Sequence, residues 1–132
     1  MSERATIGAA NESWDEKTYA ELPDGGKLTR ATVVQKLTGD LDGRITTEFL
    51  MCYRPDGTAT YLGQSRIEGT LAGRTGSFVV QGDGEFDGTT ARTSQSVVAG
   101  SGTGELRGIS GSLIAGAEHG PAANLALSYE FE

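Results

Sequence analysis

Stretches rich in Thr, Val, Phe and Tyr, parted by glycine-containing turns, recur along the whole chain. Nowhere do apolar residues recur at i, i+3 and i+4 over a dozen positions, so the pattern predicts strands throughout and no helix. The expected strands cover residues 5–9, 27–38, 44–54, 58–71, 76–86, 89–98, 112–117 and 124–131. Eight antiparallel strands are enough to close a small barrel.

Asp-Gly pairs stand between strand candidates at Asp42-Gly43, Asp56-Gly57 and Asp87-Gly88. Asp-Gly suits a two-residue type I′ hairpin, in which both central residues take positive φ. With that turn at Asp56-Gly57, Tyr61 lies opposite Cys52 and Ser65 opposite Glu48. With it at Asp87-Gly88, Gln95 faces Val80 and Val97 faces Phe78. A four-residue loop over residues 72–75 sets Ile67 against Val80, and a turn at Asp42-Gly43 sets Leu37 against Glu48.

Cross-strand partners share a face. The interior is therefore expected to carry Val33, Gln35, Leu37, Glu48, Leu50, Cys52, Tyr61, Ser65, Ile67, Phe78, Val80, Thr93, Gln95 and Val97. Val34, Phe49, Met51 and Leu62 would then form an apolar strip outside, expected to be an oligomer contact. Glu48 becomes the chemical candidate, because a carboxylate among apolar side chains has its pKa raised and can exchange protons. Gln95 would polarise an oxygen, while Trp14, Gln35, Cys52, Tyr61, Ser65, Phe78, Val80 and Thr93 would line the ligand cavity.

Composition narrows the partners. A chain of 132 residues, 36% hydrophobic and 22% charged, suits one globular domain over residues 1–132. A formal net charge of −7 without a Lys/Arg cluster argues against nucleic acid or an anionic membrane. No apolar run approaches a spanning length and Met1-Ser2-Glu3-Arg4 has no signal-peptide character, so a cytoplasmic protein is expected.

One cysteine, Cys52, excludes an intrachain disulfide, and one histidine, His119, leaves no His/Cys set for zinc, so neither metal nor cofactor is expected. A hydrolytic triad lacks its G-x-S-x-G elbow. The run Gly100-Ser101-Gly102-Thr103-Gly104 lacks the Lys-Ser/Thr and the helix of a phosphate loop and reads as a tight barrel connection. Trp14, in the polar run N-E-S-W-D-E-K, would plug a barrel end or stack on a ligand.

The run G-T-L-A-G-R-T-G-S-F-V-V at residues 69–80, followed by V-V-A-G-S-G-T-G-E-L at residues 97–106, resembles the DUF3224 family. Trp14, K-L-T-R-A-T-V at 27–33, Gly39-Asp40-Leu41-Asp42-Gly43 and L-S-Y-E-F at 127–131 extend the resemblance over nearly the whole chain. It implies a closed eight-stranded barrel of the allene oxide cyclase-like kind, whose relatives include natural-product cyclases and isomerases. By this resemblance, members often carry an acidic residue at Ser65, a histidine at Gly82, an aromatic at Gln95 and a proline at Ala99. Their loss implies a cavity widened for a bulky ligand. The expected function is a cofactor-independent cyclase, dehydratase or isomerase of an apolar, polyketide-like intermediate, and the alternative is a barrel that only binds a small hydrophobic molecule.

Overall fold

The computed structural model describes residues 3–118 and 122–132. Its elements are all strands: β1 (Glu3–Glu21), β2 (Lys27–Gly39), β3 (Leu41–Tyr53), β4 (Ala59–Leu71), β5 (Arg74–Phe86), β6 (Thr90–Val97), β7 (Thr103–Gly104), β8 (Ile109–Glu118) and β9 (Ala122–Phe131). Every pairing is antiparallel, in the order β4-β3-β2-β1-β9-β8-β6-β5, and β4 pairs β5 to close an eight-stranded barrel. The two-residue β7 lies on β5 as an extra strand. None of the described residues forms a helix long and apolar enough to cross a membrane.

Register around the barrel is staggered. Pairs lead from Ile7 through Leu125, Ala115 and Thr93 to Gly84 in one direction. They lead from Ala9 through Leu37, Gly43 and Gly69 to Gly76 in the other. Followed from the same start, the two routes reach β5 ten residues apart, so the strands are tilted and the interior has room for side chains or one small ligand.

The turns differ from the Asp-Gly expectation in an instructive way. At Asp56-Gly57 the loop has three residues: Arg54 N–H donates to the Thr58 carbonyl at 2.8 Å, and Gly57 takes φ +88°. Ser65 therefore faces Thr47, and Glu48 faces Gln64. That odd slip turns β3 over: Ile45, Thr47, Phe49, Met51 and Tyr53 point inward, while Glu48, Leu50 and Cys52 point outward. The other β4 and β5 partners move by two residues, which preserves the face. Ile67 pairs with Phe78 across a two-residue Ala72-Gly73 turn, and Gln95 pairs with Gly82. Leu37 meets Gly43 rather than Glu48, a second odd slip that cancels the first, so Val33 and Leu37 are inside as expected.

The expected outer strip is dismantled by the same inversion. Phe49 and Met51 belong to the interior, and the large apolar residues on the outer wall of β3 and β4 are the cross-strand pair Leu50 and Leu62, 49% and 59% exposed.

Strand β1 is the main departure. It continues through the polar run to Glu21, pairing with β9 from Glu3 to Ala10 and with β2 from Ile7 to Glu21. A bulge between Asn11 and Ser13 changes its parity: before it Ile7 and Ala9 face the core, after it Trp14 and Glu16 share a face with inward Val33 and Ala31. Past Ala10, β1 pairs with β2 alone among the described residues, and the barrel wall opens.

The core is accordingly divided. The closed end holds Ile7, Leu37, Leu41, Ile45, Ile67, Leu71, Phe78, Val80, Leu106, Leu113 and Leu127. The open end holds a smaller cluster of Ala31, Val33, Met51, Ala59 and Tyr61, with Phe49, Tyr53 and Phe86 against it. The glycine-rich run straps the edge of β5. Ser77 N–H donates to Thr103 Oγ1 at 3.1 Å and Val79 N–H to Ser101 Oγ at 3.0 Å, which covers strand groups that β6 leaves unpaired.

Candidate functional site

A pocket of about 140 Å³ lies inside the open end. Strand β1 contributes Trp14, β2 Val33 and Gln35, β3 Phe49 and Met51, and β4 Tyr61, with Thr93, Ala115 and Leu125 on the opposite wall. Two of the rings rest on glycine. Phe49 lies across Gly63, where a Cβ would come within 2.9 Å of the ring, and Tyr61 across Gly84, where it would come within 2.6 Å. The missing side chains leave the space these rings fill, which fixes them against the wall.

Phe49 meets Tyr61 edge-on, with centroids 5.2 Å apart and planes at 86°, and Trp14 lies over Phe49 at 6.4 Å and 27°. The Tyr61 hydroxyl shares a 2.7 Å hydrogen bond with Thr93 Oγ1. Burial raises the Tyr61 pKa and the Thr93 contact works against it, so the phenol stays protonated. Deeper in, Gln95 Nε2 donates to Ser65 Oγ at 3.2 Å and to the Gly63 carbonyl at 3.3 Å, while Ser65 and Thr47 share a 2.7 Å bond. Gln95, 5% exposed, is thus held among protein partners.

Behind Trp14 stands Glu16. Its Oε1 accepts from the Trp14 indole N–H at 3.0 Å, and its Oε2 accepts from the Tyr53 and Thr29 hydroxyls, each at 2.7 Å. Burial alone would raise this carboxyl, but the bonds from Thr29, Tyr53 and Trp14 prevail and hold it below the usual range. Tyr53 is pushed well up, first by burial and then by the adjacent Glu16. Glu16 and Tyr53 also border a polar concavity of about 550 Å³ at the barrel rim, with Lys27 and Arg54.

The expected site residues therefore separate into three groups. Trp14, Gln35, Tyr61 and Thr93 meet at the pocket. Ser65 and Gln95 lie in the buried network beneath it, and Phe78 and Val80 are sealed in the closed-end core with no exposed surface. Glu48 and Cys52 are on the outer wall, because the three-residue loop inverts β3. Glu48 Oε1 accepts from Arg30 at 2.7 Å, and Thr32 and Arg30 hold its carboxyl low, the opposite of a carboxylate raised by burial. His119 lies outside the described residues.

Sequence reasoning placed Phe49 and Met51 outside and missed Glu16 and Tyr53. A signal existed for three of these in β3 itself: Arg44, Glu48 and Arg54 occupy one parity while Ile45, Phe49, Met51 and Tyr53 occupy the other. The alternation outranks the turn dipeptide.

Gly82, implied by the resemblance to be a histidine in relatives, has no room for one in this chain. A Cβ there would lie 2.0 Å from the Ser94 carbonyl oxygen. Among the described residues no three His, Cys, Asp or Glu side chains converge as a metal site would need.

The family described as "Protein of unknown function (DUF3224)" matches residues 8–129. A crystal structure described as a protein with unknown function from the DUF3224 family from Shewanella oneidensis MR-1 superposes with a TM-score of 0.77. It is 28% identical, with 98% of this chain and 99% of that one covered. No curated protein matches the chain. With the match spanning nearly all of the barrel from the first strand to the last, the chain belongs to the DUF3224 family.

Proposed function

We propose that the open end of the barrel binds one small, largely apolar molecule of about the size of a single ring. The observation that carries this is the pocket of about 140 Å³ bordered by Trp14, Phe49, Met51 and Tyr61. Its size matches an apolar cavity of roughly 150 Å³ that accepts benzene and is well below the roughly 300–1,000 Å³ of sites for drug-sized ligands. A polyketide-sized intermediate exceeds it, so a bulky ligand is not favoured. The polar groups that reach the pocket, Tyr61–Thr93 and Gln35, are neutral and suit orientation of a single oxygen or nitrogen.

The chain has one tryptophan, and it borders the pocket half exposed. Titration with benzyl alcohol or phenol is therefore expected to change Trp14 emission saturably, and Ala115→Leu, which extends a side chain into the pocket, is expected to abolish the change. Saturable binding that survives Ala115→Leu unaltered would place the ligand elsewhere and sink the proposal.

A catalytic reading, cyclase or isomerase chemistry without a cofactor, draws on one observation, the Glu16–Tyr53 hydrogen bond at 2.7 Å beside the pocket. It assigns proton transfer to that pair and none to Glu48. Its signature is loss of about 10²-fold or more in turnover on Glu16→Gln; normal turnover in that variant removes it.

A further inference from the structure

We propose that the aromatic corner formed by Trp14, Phe49 and Tyr61 takes the methylated ammonium group of a small free cation. This rests on the pocket being a ligand site, as above, and specifies the charge of the ligand.

All three rings border one pocket, and their planes differ by 27° between Trp14 and Phe49 and by 86° between Phe49 and Tyr61. A guest therefore meets rings in more than one orientation. A ring face is the negative part of its quadrupole, and tryptophan offers the strongest such face for a cation. Trp14 is further enriched because its indole N–H donates to the Glu16 carboxylate, which pushes electron density into the ring and puts a negative charge behind it. The chain makes the same kind of contact with its own ammonium at the rim, where Lys27 Nζ lies 5.2 Å from the Tyr53 ring centroid.

Methylation follows from the pocket's hydrogen bonding. Among the described residues no charged side chain borders it, and the hydroxyl of Tyr61 and the amide of Gln35 are already engaged with Thr93 and Asn11. A primary ammonium would surrender three strong hydration bonds for few replacements, while a quaternary one has none to surrender. The alternative, an anion, would meet only neutral hydroxyl and amide donors here, with no cationic side chain among the described residues that border the pocket. Glu16 is itself held in the charged form, and Arg54 is occupied by Thr58 and Thr60. A net charge of −7 also favours approach of a cation over an anion.

Choline and its uncharged carbon isostere 3,3-dimethylbutan-1-ol separate charge from shape. Binding to the whole protein would be read from the Trp14 indole N–H and Met51 methyl signals by NMR. Choline is expected to bind about tenfold tighter than the isostere. Glu16→Gln is expected to reduce the ratio of choline to isostere affinity severalfold. Trp14→Leu, at a half-exposed position, is expected to remove the preference as read by Met51. Equal or tighter binding of the isostere overturns the cation assignment and leaves the pocket reading intact. Failure of both compounds to move either signal overturns both. A trimethyllysine peptide that binds more tightly than choline would show the cation arriving on a chain and overturn the free-ligand assignment.

Discussion

Glu48 and Phe49 are chain neighbours on opposite sides of the wall, and a single extra loop residue decides which of them faces the pocket. Outside, Glu48 is half of an exposed ion pair with Arg30. Pairs of this kind contribute about 0.2–1 kcal/mol, so Glu48→Gln is expected to change stability by no more than that in urea denaturation and to leave Trp14 titrations unaltered. Inside, Glu16 contributes to the pH dependence. Its pKa is lowered in the folded state, so its stabilising contribution is present above the unfolded carboxylate value and is lost as pH falls through the folded one. Glu16→Gln is therefore expected to flatten the fall in stability on the acid side, measured as melting temperature from neutrality downward. The inner role of Phe49, Met51 and Tyr53 was legible in the alternation of β3. Glu16 was not, because its inward orientation depends on a bulge that changes parity in a polar run where hydrophobicity gives no phase.

At the level of elements, turns set the faces, and only the parity of an error matters. The Ala72-Gly73 turn replaced an expected four-residue loop yet left Ser65, Ile67, Phe78 and Val80 inside, because both readings differ by two residues. That turn also stores strain. Ala72 is the one described non-glycine residue with positive φ, at 52°, a conformation that costs an ordinary residue about 1–2 kcal/mol. Ala72→Asn creates the favoured Asn-Gly turn and is expected to raise stability by about 1 kcal/mol in chemical denaturation; unchanged or reduced stability would count against the turn geometry. The long first strand was readable only in its apolar third. From Ala10 to Glu21 its strand form comes from pairing with β2, which no local propensity announces.

Over the whole molecule, order of packing follows the division of the core. From Ile7 to Ala10, β1 is paired on both edges, by β2 and by β9, whereas residues 11–21 have one strand neighbour among the described residues and mostly exposed side chains. Native-state hydrogen exchange is expected to show amides 11–21 exchanging well before amides 7–10 of the same strand, with the contrast reduced when the pocket is occupied. Uniform protection along β1 would contradict this division.

The closed end has its own geometric cause. Gly43 pairs with Gly69, Gly69 with Gly76 and Gly76 with Gly104, a row of four glycines straight across neighbouring strands. At the first three, a Cβ would lie 1.9–2.1 Å from a carbonyl oxygen of the adjacent strand. The sheet is creased along this line, with backbone occupying the space side chains would need. For anyone wishing to retool the barrel, the crease is a fixed wall: carving volume beneath it means moving backbone. New volume has to come from the rim, by trimming Met51, Phe49 or Trp14. Selectivity in this scaffold should accordingly drift through residues at one end, while the other tolerates almost no variation.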